Sequence, residues 1–595
     1  MLYLKKLLVM LNPLQRKQSM WLLLTLILVA MLDMIGVASI LPFIAILTNP
    51  GLIETNPILS YMYQASAIFG VDNQKHFLFA SGLLVFFFLV LSLIFKAFAT
   101  YFQVRFVKEC EYNFSKLFVE GYLSQPYAWF LNRHSAELGR TVLTESAQIV
   151  GGCIKPLLEV TAKGAITIAL LILLLVADTK LALIVGFSLG GAYGAFFYLV
   201  RTYLRQTGQT RLVNDQIRFR AVSDAFNAVK EIKVGGLEKS YINLFSHSAY
   251  EYAKSNTSAE TVGLLPRFIL EAVAFGGILL IILYVMMGTG SFTSALPILS
   301  LYVFAGYRLM PALQQIYVSL TQITFSSTAI NKLYEDRKKF KLLTNNQNKK
   351  NNSEILIFKK NISIENVYFN YPNTSKATLE NINLNIPAKS IIGFIGPTGS
   401  GKTTTVDIIL GLLEPQKGTM KIDGKILTEQ NSRSWGRSIG YVPQQIYLSD
   451  NSIASNIALG LDPKNINQAA VERAAKIANI HQFIIEELPN QYQTEIGERG
   501  VRLSGGQRQR IGIARALYHK PKLLILDEAT NALDNETEKA LMEAVNNLDK
   551  DITIILIAHR TNTLKICDYI YKLEKGKIVD QGTYKSLIDK NIFNL

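Results

Sequence analysis

Residues 391–410 read IIGFIGPTGSGKTTTVDIIL, an apolar run that breaks into Gly396, Pro397, Thr398, Gly399, Ser400, Gly401, Lys402, Thr403 and Thr404. This spacing is that of a phosphate-cradling P-loop. Glycines let the backbone curl so that successive N–H groups and the following helix N-terminus face phosphate oxygens. Lys402 is placed to reach the β- and γ-phosphates and Thr403 to help hold Mg²⁺. The chemistry expected is therefore the binding of a nucleoside triphosphate with Mg²⁺.

Such a loop works only between a buried strand and a helix. Residues 391–395 predict the strand and residues 404–413 the helix. A second strand, Lys522-Leu523-Leu524-Ile525-Leu526-Asp527-Glu528, delivers two carboxylates at its end. The first suits Mg²⁺, and the second can orient or polarise an attacking water. Two acids ending a strand are a weak signal alone. Beside the P-loop, with Leu503-Ser504-Gly505-Gly506-Gln507 about twenty residues upstream, they become a strong one.

At this point the C-terminal part is identified as a member of the ATP-binding cassette family, whose signature the LSGGQ run resembles. The resemblance implies roles for further residues. Tyr371 matches the aromatic that stacks on adenine. Gln444, in Tyr441-Val442-Pro443-Gln444, matches the glutamine that contacts Mg²⁺ and water. The run from Thr494 to Gly500 is similar to the segment that touches coupling helices. Asn531-Ala532-Leu533-Asp534 resembles the D-loop, with Asn531 where serine is more usual. His559 matches the switch histidine on the γ-phosphate. Taken singly, Tyr371 would pass for a strand aromatic, Gln444 for a loop amide and His559 for a packing histidine; their order along the chain argues against that. Catalysis is thus expected of Glu528, His559, Lys402 and Gln444, and Mg²⁺ contact of Thr403, Gln444 and Asp527. Nucleotide contact is expected of Tyr371, the P-loop, Ser504, Gly505, Gly506, Gln507 and Asp534. In the family, signature residues close over ATP bound to the opposite subunit. One cassette per chain with both half-sites intact therefore implies a homodimer.

The 595 residues are 49% hydrophobic, and a positive mean hydropathy of +0.22 is unusual for a soluble enzyme. Apolar runs near 20–47, 77–104, 156–177, 181–200, 262–287 and 294–321 are each about the ~20 residues that cross a bilayer. The expected architecture is a multidomain membrane protein, with a six-helix transmembrane domain over 1–325, a linker over 326–355 including an Asn-rich tract, and an α/β P-loop nucleotide-binding domain over 356–595. The first run follows Lys5, Lys6, Arg16 and Lys17, is long, and lacks a small-residue cleavage pattern, so it reads as retained. Basic residues crowd the segments after the second and fourth runs, whereas 49–75, 178–180 and 288–293 hold only Lys75 and Lys180. This asymmetry predicts both termini in the cytoplasm of an inner-membrane protein. It also accounts for much of the net charge of +16, and no nucleic-acid-binding motif accompanies that charge. Cys110, Cys153 and Cys567 match no metal or redox spacing and read as packing residues.

Six runs followed by one cassette resemble an exporter-type half-transporter. In that class Tyr122 to Phe130 and Ala228 to Gly236 are similar to coupling segments. Charges within the apolar runs are costly in hydrocarbon, so they should pair, snorkel or face the bundle interior. Lys155, Glu159 and Lys163 fall on one helix face, and Arg267 and Glu271 are spaced i, i+4, so local pairing is one expectation for them. Lys96 and Arg308 have no local partner and are expected to meet an anionic headgroup, with Arg267 and Lys155 as further candidates. Asp33 lies in the first run. Leu265 to Glu271 and Tyr307 to Leu313 resemble segments of the flippases for lipid-linked oligosaccharides in bacterial protein N-glycosylation. That resemblance implies a polyprenyl-diphosphate glycan or related anionic lipid as cargo. An exporter of peptides, drugs or other lipids, and a non-transporting membrane ATPase that regulates a partner, stay open as alternatives.

Overall fold

The computed structural model describes residues 6–7, 9–66, 71, 73–177, 179–289, 292–348, 356, 358–372, 374, 377–497, 500–529, 538, 551–558 and 563–590. The chain divides into two compact units. One comprises Met1–Gln125 and Asn132–Thr344; the other comprises Pro126–Leu131 and Asn345–Leu595.

The first unit is helical. Its long helices are α1 (Pro13–Ala38), α2 (Gln74–Leu123), α3 (Lys155–Ala177), α4 (Thr179–Asn227), α5 (Glu238–Thr289) and α6 (Phe292–Asn348). The 50 residues of α2 extend about 75 Å, more than twice the ~30 Å hydrocarbon core, so such a helix carries a span and a polar extension. Among the described residues, four helical stretches are long and apolar enough to cross a membrane: Pro13–Thr48, Gln74–Leu123, Ser135–Val176 and Ala182–Asn227. They contain, to within a residue, the first four expected runs, and the fifth and sixth expected runs lie inside α5 and α6. At most 39% of each apolar window is buried, so these faces are left for lipid, as in a multi-pass membrane protein. Helix α1 packs along α2 and α3, and α4 along α5. Leu170 and Leu174 of α3 meet Leu301, Ala305 and Leu309 of α6 in one apolar core. Two π-helical turns, Thr141–Glu145 and Val150–Ile154, lead into α3.

The structure revises the expected linker. Helix α6 continues to Asn348, and Ala329, Ile330, Leu333 and Phe340 are buried at helical spacing. Residues 326–344 therefore belong to the helical unit, because the charged stretch after 332 still carries an apolar stripe.

The second unit is α/β. Strands β1 (Asn361–Phe369), β2 (Leu379–Pro387), β4 (Lys417–Ile422) and β5 (Lys425–Ile426) form an antiparallel sheet in the order β2-β1-β4-β5. A second sheet has the order β10-β9-β3-β8-β7-β6, with β3 (Ile391–Ile395), β6 (Ile439–Val442), β7 (Leu523–Asp527), β8 (Thr553–Ile557), β9 (Tyr569–Glu574) and β10 (Lys577–Gly582). Its strands β9, β3, β8, β7 and β6 run parallel. Every residue of β7 and β8 is buried, which explains their unbroken apolar runs: both faces are covered. Successive residues feed opposite cores. Leu524, Leu526, Ile554 and Leu556 join one, while Leu523, Ile525, Ile555 and Ile557 join the other with Trp435. Tyr127–Phe130 forms a short helix in this same unit, where Ala128 packs against the Trp435-containing core. The three cysteines are buried, and burial pushes the Cys567 thiol up to about 12.

Candidate functional site

The phosphate loop stands where the sequence puts it, between β3 and helix α7 (Lys402–Ile409). The helix starts two residues earlier and stops four earlier than expected. It starts at the turn made by Gly401 (φ 102°) and stops before Gly411 (φ 73°), both left-handed conformations that favour glycine. Gly396 also has positive φ, 147°, and a Cβ there would collide with the Leu573 carbonyl oxygen. At Gly399 a Cβ would meet nothing within 4 Å, so the concave side of the loop is open.

The residues fit a phosphate chain. The Ser400 hydroxyl is buried without a hydrogen-bond partner, which is costly unless a ligand atom answers it. Lys402 is buried and its ammonium donates to the carbonyls of Gly396 (2.8 Å) and Pro397 (3.0 Å). Burial pulls its pKa down, opposed by Glu528 and Asp527, so an anion bound beside it would stabilise its charged form. Thr403 is exposed. Its hydroxyl and the Asp527 carboxylate are hard oxygen donors of the kind Mg²⁺ takes.

Glu528 follows β7 in a left-handed conformation (φ 49°), held by its backbone N–H donating to Ile557 O (3.1 Å). A non-glycine residue at positive φ is a point of local strain of the sort found at functional sites. Gln444 Nε2 donates to Glu528 Oε2 at 2.7 Å, which brings two expected site residues together across 84 positions. Tyr371 Oη lies 3.2 Å from Thr404 Oγ1 with its ring edge-on to Phe369, so the expected adenine-stacking aromatic is fastened to the P-loop helix. Ser504 caps helix α8 (Gly505–Leu517): its hydroxyl accepts from Gln507 N (3.2 Å) and Gln507 Oε1 accepts from Ser504 N (2.7 Å). Part of the LSGGQ pattern is thus a reciprocal capping box. His559 and Asp534 lie outside the described residues.

Several positioning residues escape a reading of the sequence. Buried Gln509 donates to the Glu528 carbonyl at 3.3 Å, tying α8 to the end of β7. Asn456, fully buried, donates to the carbonyls of Ser449, Asn451 and Ser452 and accepts from Ser449 N. Arg515 of α8 donates to the Asn456 and Tyr447 carbonyls. The loop beyond Gln444 is therefore braced to the signature helix. Asp407 of α7 is buried, and burial beside Asp527 raises its pKa to about 6. Asparagine and glutamine give no periodic signal, so only contacts reveal these roles.

In the helical unit the expected charges separate. Arg308 forms an ion pair with Asp33 at 3.2 Å, and Asp33 also accepts from Ser92 Oγ at 2.5 Å. Arg308 has no local partner, as expected, but it has a distant one, 275 positions away and beyond the reach of i, i+4 reasoning. Arg267 pairs with Glu271 at 2.7 Å and Lys155 with Glu159 at 3.9 Å. Lys96 and Lys155 line one cavity.

Residues 379–531 match the family described as ABC transporter. The ATP-dependent lipid A-core flippase of Alkalilimnicola ehrlichii is 43% identical over 230 residues, 39% of this chain and 39% of that protein. Across the first matched relatives the aligned part covers 39% or less of their length. A protein of the same name from Ralstonia nicotianae aligns over 501 residues at 29% identity, 83% of this chain and 82% of its own. The structure of a bacterial Atm1-family ABC exporter with ATP bound superposes with a TM-score of 0.73 at 21% identity, covering 98% of this chain and 97% of that one, and so shares the fold. The chain thus joins a segment that matches the ABC transporter family to a bundle of long apolar helices, and it shares the fold of that exporter.

Proposed function

We propose that the protein is an ATP-driven flippase that moves a lipid-linked oligosaccharide, a polyprenyl-diphosphate glycan, or a related anionic lipid from the cytoplasmic to the outer leaflet of the inner membrane. It works as a homodimer with both termini in the cytoplasm. The observation that carries the reading is the Gln444–Glu528 contact at a P-loop, in a chain whose helical unit holds a lysine-rich cavity. The similarity to the ATP-dependent lipid A-core flippase of Ralstonia nicotianae over 83% of this chain supports a lipid cargo.

In this reading the loop N–H groups and Lys402 hold the phosphates, Tyr371 meets the base, and Thr403, Asp527 and Gln444 hold Mg²⁺. The bound ion supplies charge neutralisation on the phosphoryl oxygens. Glu528 orients the attacking water and takes its proton, with Gln444 Nε2 holding one of its carboxylate oxygens in place. His559 contacts the γ-phosphate. Ser504 and Gly506 of a second copy close the site, so that two ATP molecules join two chains. Closure and reopening turn the helical units between two access states, because nucleotide binds one state better.

The test is ATP-dependent translocation of a labelled polyprenyl-diphosphate oligosaccharide in proteoliposomes, with Glu528→Gln as control and a cationic drug and a peptide as competitors. Movement that stops in the variant supports the reading. Movement of only the drug or peptide overturns the cargo and leaves the ATP chemistry standing.

A further inference from the structure

A cavity of 670 Å³ opens within the helical unit between α1, α2 and α3, with Gln315 of α6 at its wall. Its charged lining is Lys96, Lys108, Glu111, Lys155, Glu159 and Lys163. Both acids are engaged. Glu111 holds Lys108 at 2.8 Å. Glu159 holds Lys155 at 3.9 Å and also accepts from Gln315 Nε2 and from Ser319 Oγ, the latter at 3.2 Å. Asp33, the remaining acid nearby, is taken by Arg308 and Ser92. Lys96 and Lys163 are left without an ion pair to any described carboxylate, both half-buried, among the apolar walls of Val29, Ala99, Ala162 and Ile166.

Two ammonium groups facing one partly apolar space, with the nearby carboxylates Glu159, Glu111 and Asp33 each already paired to another cation, are better satisfied when an anion joins them. A lysine pair binds phosphate as two point charges, without the bidentate fork that would demand a planar carboxylate. A volume of this size admits a drug-sized group, enough for a phosphate or diphosphate with its first substituent, while an acyl or prenyl chain and further sugars stay outside.

We infer that Lys96 and Lys163 form the clamp for the phosphate or diphosphate head of the cargo, and that Arg308 is a structural partner of Asp33. The inference rests on the proposed lipid cargo and names the groups that meet its head. The same chemistry would take a free diphosphate from the aqueous side.

The experiment uses the full chain in phosphatidylcholine nanodiscs. Binding is measured for labelled polyprenyl diphosphate and, separately, for inorganic pyrophosphate, in the wild type, Lys96→Gln, Lys163→Gln, the double Gln variant and the double Arg variant. Each Gln substitution is expected to weaken polyprenyl diphosphate about tenfold, as loss of one charge-assisted contact does. The double variant loses more, and the Arg variant recovers most of the loss. Pyrophosphate that binds and competes identifies a free anion as sufficient; binding by the lipid alone makes the lipid head the ligand. Wild-type affinity in the double Gln variant overturns the clamp and leaves snorkelling lysines. If the Gln variants do not elute as folded protein, the Arg variant decides: tight binding there, abolished by excess salt, keeps the clamp, and salt-independent binding sinks it. Lipid translocation by the wild type with unchanged binding in the variants removes the clamp alone. No binding or movement of the lipid by the wild type removes the proposed cargo with it.

Discussion

In the cassette, Gln444, Asp527 and Glu528 stand at or just beyond strand ends and Lys402 opens the helix after the loop from β3; they come together because parallel strands β3, β6 and β7 end on one side. In the helical unit, Asp33 and Arg308 or Arg140 and Asp215 meet because separate helices bring them together, 275 and 75 residues apart. The first arrangement leaves functional groups reachable at a strand edge. The second buries charge inside a bundle and must neutralise it there. A polar side chain in the cassette is thus spent on chemistry or on bracing a loop, whereas one in the helical unit first has to satisfy its neighbours. That is why the unanswered lysines of the cavity stand out.

The largest effect that would break this contrast is at Glu528. Glu528→Gln should lower ATP turnover about 10²-fold or more, the loss typical of a positioned general base, with nucleotide binding retained. Lys402→Ala should weaken both. Phosphate release and nucleotide binding measured on the same preparation check this, and wild-type turnover in Glu528→Gln would end the catalytic assignment.

Next in size is the buried network at the start of the helical extensions. Arg140 is buried between Glu145 and Asp215, the latter at 3.1 Å, and Arg218 reaches Asp215 from the edge. Arg140→Met keeps the volume and removes the charge, leaving two buried carboxylates with less compensation. The expected cost is about 3–5 kcal/mol, seen as a lower unfolding midpoint of the solubilised protein. A shift near zero would mean that water already screens this site.

These two cases show what was legible in the sequence. The P-loop, the strand before it and the Asp527–Glu528 strand end are read correctly because contiguous residues encode them: glycines at required turns, then an unbroken apolar run. The α/β class and the long apolar helices follow from periodicity for the same reason. The Asp33 partner of Arg308 was not legible because helix packing sets it, which no local pattern carries. Gln509 and Asn456 were missed because a buried amide is identical in sequence to an exposed one. The linker was placed too early because charge after 332 masked the buried stripe of Ala329, Ile330 and Leu333.

A smaller effect sharpens the cassette side of the comparison. Asp407 has a folded-state pKa of about 6, above its ordinary 3.8, with burial as the main cause and Asp527 next. The folded cassette therefore binds this proton more tightly than the unfolded chain. Its contribution is fully present below about pH 4 and is lost as pH rises through 6. Asp407→Asn should flatten this part of the stability profile. Hydrogen exchange at β3 and β7 of the full chain between pH 4 and 7, corrected for the intrinsic exchange rate, reads it. An unchanged slope would assign the pH dependence to other groups.

The smallest effect tests the helical side. If Arg308 serves Asp33, then Arg308→Gln and Asp33→Asn should each destabilise the solubilised protein, and the double variant should lose less than the sum. The coupling expected for a polar contact between membrane helices is about 1 kcal/mol, since each group finds other partners when the pair is broken; Ser92 is one for Asp33. If Arg308 instead meets the cargo, the two substitutions should add in stability, and Arg308→Gln alone should weaken lipid binding while Asp33→Asn does not. The cycle therefore separates a charge held by the fold from one held for a ligand, the same distinction that sets Arg308 apart from Lys96 and Lys163.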